Sequence, residues 1–120
     1  MAYNIDTWRT TSLVNFTIPL SIVQQLPCAE IEILLENKIS VYGGVSGGFV
    51  LQGTLLLDGN ICVEKIHHSG SSSGRTWYNL LDALHHSKGI MVATQVWEGG
   101  DSISRLVVKD GVVEEENIEL

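Results

Sequence analysis

The densest run of chemically useful side chains lies in residues 61–89. An apolar stretch, Ile61, Cys62, Val63, Glu64, Lys65 and Ile66, ends in His67 and His68 and leads into Ser69, Gly70, Ser71, Ser72, Ser73, Gly74, Arg75 and Thr76. A strand, a Gly/Ser loop and a helix start in that order bring unpaired backbone N–H groups to one point, where an anion is favoured. Arg75 would be the charged anchor. The hydroxyls of Ser71, Ser72, Ser73 and Thr76, the N–H of Gly74 and the ring of His68 would complete a site for a phosphate or a carboxylate. The same residue types are also ordinary loop formers.

Other chemistries fit these residues less well. The loop resembles a P-loop, but its spacing is one residue short of G-x-x-x-x-G-K-[ST] and Arg75 replaces the lysine, so nucleotide hydrolysis is rejected. Nucleophilic catalysis needs a Ser or Cys, a base and an orienting acid. Residues 69–73 lie beside His67 and His68, yet no G-x-S-x-G elbow exists, and the chain reads as non-enzymatic. Neither His67-His68 nor His85-His86 can readily give two ligands to one ion, because adjacent residues diverge on a strand or a helix. Alternation places Cys62, Glu64 and His68 on one strand face, but no fourth ligand accompanies them, so no metal and no cofactor is expected. Trp97, in the string Trp97-Glu98-Gly99-Gly100-Asp101-Ser102, stands at a strand end beside a glycine turn. It reads as a partner-contacting aromatic or as a cap on the core.

The elements that would position these groups follow from periodicity and turn chemistry. Residues 11–20 read as extended, and 21–26 as one or two helical turns capped by Ser21 and stopped by Pro27. Strands are expected over 30–35, 38–42, 49–57 and 61–67, with Glu36-Asn37 and Asp58-Gly59 as tight turns. Trp77, Leu80, Leu81 and Leu84 make one apolar stripe and predict a helix over 76–87, with Thr76 as N-cap and Gly89 as the glycine past its end. Strands over 90–97, 103–108 and 112–113 are joined by short turns, which demands an antiparallel meander. The acidic tail, residues 114–120, reads as a frayed end. The expectation is one α+β domain over 1–120: a mostly antiparallel sheet of about six or seven strands, with one main helix packed on one face.

Composition narrows the partners. Net charge is −7, from 14 acidic against 7 basic residues, and the basic ones form no run, so neither nucleic acid nor an anionic membrane surface is an expected partner. Hydrophobic residues make up 44% and charged ones only 18%, below the roughly 25% usual in globular proteins, which favours self-association. Cys28 and Cys62 lack C-x-x-C spacing and read as free thiols in a reducing compartment. With no basic n-region at the start and no run of about 20 apolar residues, a cytoplasmic setting is expected. The functional expectation is a small binding or regulatory protein that acts through protein contacts, such as an acidic inhibitor or immunity-type protein covering a basic surface. The alternative is a binder holding a phosphorylated or carboxylated ligand on the loop 69–76.

Overall fold

The computed structural model describes residues 8–26, 29–43, 49–68, 75–96 and 102–119, and within them the side-chain surroundings of all but 75–78, 96, 102 and 117–119. In chain order the elements are β1 (Trp8–Pro19), α1 (Leu20–Val23), β2 (Ala29–Ile33), β3 (Lys38–Gly43), β4 (Phe49–Leu55), β5 (Asn60–His68), α2 (Arg75–Leu84), β6 (Lys88–Val96), β7 (Ser102–Lys109) and β8 (Val112–Glu119). The eight strands form one sheet in the order β2-β3-β4-β5-β1-β6-β7-β8, with every neighbouring pair antiparallel. This corrects the expected six or seven strands around one main helix. The described residues are mostly an eight-stranded antiparallel sheet, and the two α-helices among them are short.

Two local meanders, β2 to β5 and β6 to β8, flank β1. Both β5 and β6 run antiparallel to β1, so they are parallel to each other, and the connection through α2 crosses over β1. Turn chemistry builds the hairpins. Asp110 and Gly111 both take positive φ in the two-residue β7–β8 turn, the conformation that matches the twist of the flanking strands. Glu36 and Asn37 likewise both have positive φ between β2 and β3. Asp58 Oδ1 accepts the Asn60 N–H at 3.0 Å and fixes the β4–β5 turn.

Alternation along the strands sends one set of side chains inward. Ile39 and Val41 from β3, Phe49 and Leu51 from β4, Ile61, Val63 and Ile66 from β5, Phe16 and Ile18 from β1, Met91 and Ala93 from β6, and Leu106 and Val108 from β7 are all buried. The helix α2 adds Leu80, Ala83 and Leu84 to this core and packs near β4, with Leu81 partly buried beside them. Trp77 lies among the residues whose surroundings are not described. The helix starts at Arg75, so Thr76 is inside its first turn and is not the N-cap. It ends at Leu84, where the Ser87 hydroxyl donates to the Leu84 carbonyl at 2.5 Å. Gly89 is therefore not the glycine past the helix but a residue of β6 with φ 84°. A Cβ there would collide with the Asn15 carbonyl of β1. Pro19, not Ser21, occupies the cap position of α1.

The tail is also not a frayed end. Val108 pairs with Val113 and Lys109 with Val112, and Arg105 forms an ion pair with Glu116, so residues 112–119 are the edge strand β8. Glutamate has low strand propensity. At an edge, however, charge is an advantage because it discourages another chain from adding to the sheet.

Leu84→Ala should lower unfolding free energy by about 2–5 kcal/mol, since this fully buried side chain leaves a cavity under the sheet. Leu57→Ala should change it by less than about 0.5 kcal/mol, because Leu57 is fully exposed. Chemical denaturation of both variants checks the assignment of inner and outer positions.

Candidate functional site

The residues singled out from sequence are scattered. Ser71, Ser72, Ser73, Gly74 and Trp97 lie outside the described residues, as does Cys28. Arg75 and Thr76 are in the first turn of α2, with no side-chain surroundings described. His68 is buried on the inner face, with Trp8 and Phe49 as its register neighbours on β1 and β4. His85 sits after α2, its Nδ1 3.0 Å from the Gly111 carbonyl oxygen. Among the described residues no group of three His, Cys, Asp or Glu is arranged to hold a metal. The Cys62, Glu64 and His68 set is divided by a bulge. Glu64 is the extra residue between the Lys65–Gln52 and Val63–Gly53 pairs, so Glu64 and Lys65 are both exposed and the parity of β5 shifts. His68 then faces inward, while His67 faces the surface with Glu64 and Lys65.

Two surface features stand out. The first is one end of the sheet. The β2–β3 and β4–β5 turns lie at the same end of a meander, and both carry large apolar side chains into solvent: Ile33, Leu34 and Leu35 on one, Leu56 and Leu57 on the other. Leu35 is 88% and Leu57 105% exposed. Glu36 and Asp58 on these turns and Glu32 at the end of β2 are exposed and give the leucines an acidic rim. The Asn60 backbone N–H, followed by its side-chain amide, keeps Asp58 below the usual carboxylate range and hence ionised. Behind this tip, Glu64 accepts from Lys38 Nζ at 2.8 Å and from Thr54 Oγ1 at 2.6 Å, a cross-strand cluster over β3, β4 and β5. Lys38 first and Thr54 second hold Glu64 below its ordinary pKa.

The second feature is a cleft of about 510 Å³ between β1 and β5. Arg9 pairs with His67 and Thr17 with Cys62, and no ladder pair joins the strands between them. Residues 10–16 of β1, seven in all, span the same stretch as residues 63–66 of β5, four in all. A side chain bridges the mismatch. The Thr10 hydroxyl accepts the Ile66 N–H at 3.1 Å and donates to the Ile66 carbonyl at 2.5 Å, replacing backbone partners. Arg9, Ser12, Leu13, Lys65 and His67 line the cleft. Desolvation, then the charges of Arg9 and Lys65, lower the pKa of His67. Alternation in sequence missed this site. The adjacent charges Glu64 and Lys65 in an otherwise apolar strand were the available signal for the bulge.

Thr10→Val keeps the shape of the side chain and removes the hydroxyl. It should destabilise by about 1–3 kcal/mol by leaving the Ile66 backbone groups unpaired, whereas Thr10→Ser should recover most of the loss. Denaturant titration of the three proteins decides. In a histidine NMR titration, Arg9→Gln should raise the pKa of His67, because it removes one of the two cations that oppose protonation.

No family model matches the chain, and no curated protein or solved structure is similar to it, so its function has to be read from its own surfaces.

Proposed function

We propose that this chain is a small non-enzymatic binding protein that acts through protein–protein contacts, with the leucine tip as its contact surface. The observation that carries this reading is the exposure of Ile33, Leu34, Leu35, Leu56 and Leu57 on two neighbouring turns. Large apolar side chains gathered in solvent cost hydration free energy and are typical of contact sites. The acidic rim of Glu32, Glu36 and Asp58 selects the partner. Its complement is an apolar pocket surrounded by lysine or arginine, consistent with an acidic inhibitor-like role. Two copies meeting tip to tip would oppose Glu36 and Asp58 to their own equivalents, so the tip suits a different protein better than a second copy.

Self-association has a separate candidate. Val14, Ile90, Val92, Val107 and Val112 occupy the outer face of β1, β6, β7 and β8, with Val14 paired to Ile90 and Lys109 to Val112. Val14 is 50% and Val112 60% exposed. Either sheet edge is a poorer place for a second copy, since β2 carries Glu30 and Glu32 and β8 carries Glu114, Glu115 and Glu116. We assign the protein to the cytoplasm, where the free thiol of Cys62 would persist. Among the described residues no helix is long and apolar enough to cross a membrane.

Immobilised chain should retain a basic protein partner from cell extract, with retention falling as salt is raised. Leu35→Asp combined with Leu57→Asp should leave the melting temperature unchanged and abolish retention. Glu36→Lys should weaken it. Retention that survives the double substitution would refute the tip as the contact surface.

A further inference from the structure

We propose that the cleft between β1 and β5 binds a small organic anion, holding its carboxylate or phosphate group between Arg9 and Lys65. This site is separate from the leucine tip and does not depend on it. It also differs from the anion site expected on residues 69–76. The cations come from two strands and meet because β1 and β5 part between the Arg9–His67 and Thr17–Cys62 pairs.

Four observations converge on the cleft. Arg9 and Lys65 are exposed and form no ion pair with another described residue, in a chain with twice as many acidic as basic residues. The carboxylate of Glu64, the acid lining the cleft, is already occupied by Lys38 and Thr54 on the β3 and β4 side. Polar donors remain. The Ser12 hydroxyl makes no hydrogen bond with another described residue, whereas Thr10 is committed to Ile66 and Thr11 donates to the Val92 carbonyl at 3.2 Å. His67 Nε2 is enclosed and has no hydrogen-bond partner among the described residues, a state that a buried polar atom normally avoids. The volume, about 510 Å³, exceeds what a bare oxyanion needs and leaves room for a short carbon body.

His67 reports occupancy. Arg9 of β1 and Lys65 of β5 oppose its protonation, Glu64 is neutralised by Lys38, and its β4 neighbour Val50 carries no charge. An anion bound beside Arg9 and Lys65 offsets their repulsion, so the pKa of His67 rises on binding.

The test is an NMR titration of the intact chain with inorganic phosphate, sulfate, butyrate and chloride. Resonances of Arg9, Ser12, Lys65 and His67 should shift and saturate with phosphate and sulfate if the head group is a phosphate, and with butyrate if it is a carboxylate. The pKa of His67 should rise at saturation with whichever of sulfate or butyrate binds, each of which keeps a constant charge through the imidazole titration. Arg9→Gln and Lys65→Gln should each weaken binding by roughly tenfold, the factor equivalent to about 1.4 kcal/mol of charge-assisted hydrogen bonding. Both residues are exposed, and the amide spectrum reports whether each variant is folded. The proposal is overturned if none of the three oxyanions shifts these resonances, if chloride shifts them equally, or if binding is unchanged in folded Arg9→Gln.

Discussion

The backbone groups of β1 must find partners on both sides, because this strand lies between β5 and β6 and alone joins the two halves of the sheet. It meets those neighbours with unequal numbers of residues. Against β6 it accommodates one extra residue near Thr11 and another near Asn15, where φ is 48° and Gly89 makes room opposite. Against β5 the mismatch is larger, and the Thr10 hydroxyl stands in for missing ladder bonds. The two shifts against β6 cancel, so Trp8, Phe16 and Ile18 all face inward, and only the segment between the shifts changes face. Strict alternation would instead have turned Leu13 outward and Val14 inward, whereas Leu13 packs against the core and Val14 is exposed.

The same mismatch leaves space. Where β1 carries seven residues across the length of four on β5, the ladder opens and side chains replace main-chain bonds. The bulge at Glu64 contributes from the other side by turning two successive residues outward. Bulges commonly re-aim side chains near binding sites. Here they bring Arg9, Lys65 and His67 to one cleft while Ile66 and His68 stay in the core. Packing and surface chemistry therefore arise from the same local geometry.

Features set by neighbours in sequence are legible in the sequence itself. Asp58-Gly59 and Asp110-Gly111 announced their hairpins, and the Leu80, Leu81 and Leu84 spacing identified the helix. The exposed leucines were visible as letters but not as a surface, since only the pairing of β2 to β5 brings the two turns to one end. The placement of β1 was not legible either. Arg9 pairs with His67 and with Thr94, and nothing local to Arg9 encodes either partner. Glu64 defeated the alternation rule, which assumes an unbroken ladder and had put Cys62, Glu64 and His68 together. The tail 114–120 reads as frayed from sequence because strand propensity describes half-buried strands, whereas β8 is an exposed edge through Glu119.

The order of the sheet also bears on how it is made. The meanders β2 to β5 and β6 to β8 close through short hairpins, so each can form from local contacts. The seam that unites them requires the first strand of the chain to pair with residues up to Thr94. Loop-closure entropy makes such pairings late and slow relative to hairpins. During synthesis β1 would emerge first and wait for both of its neighbours, and in that interval the strand edges of β5 and β6 would stand open. The acidic residues on β2 and β8 guard the finished sheet but not this inner seam. An assembly intermediate would be most vulnerable to misassociation there, in the middle of what becomes the native sheet.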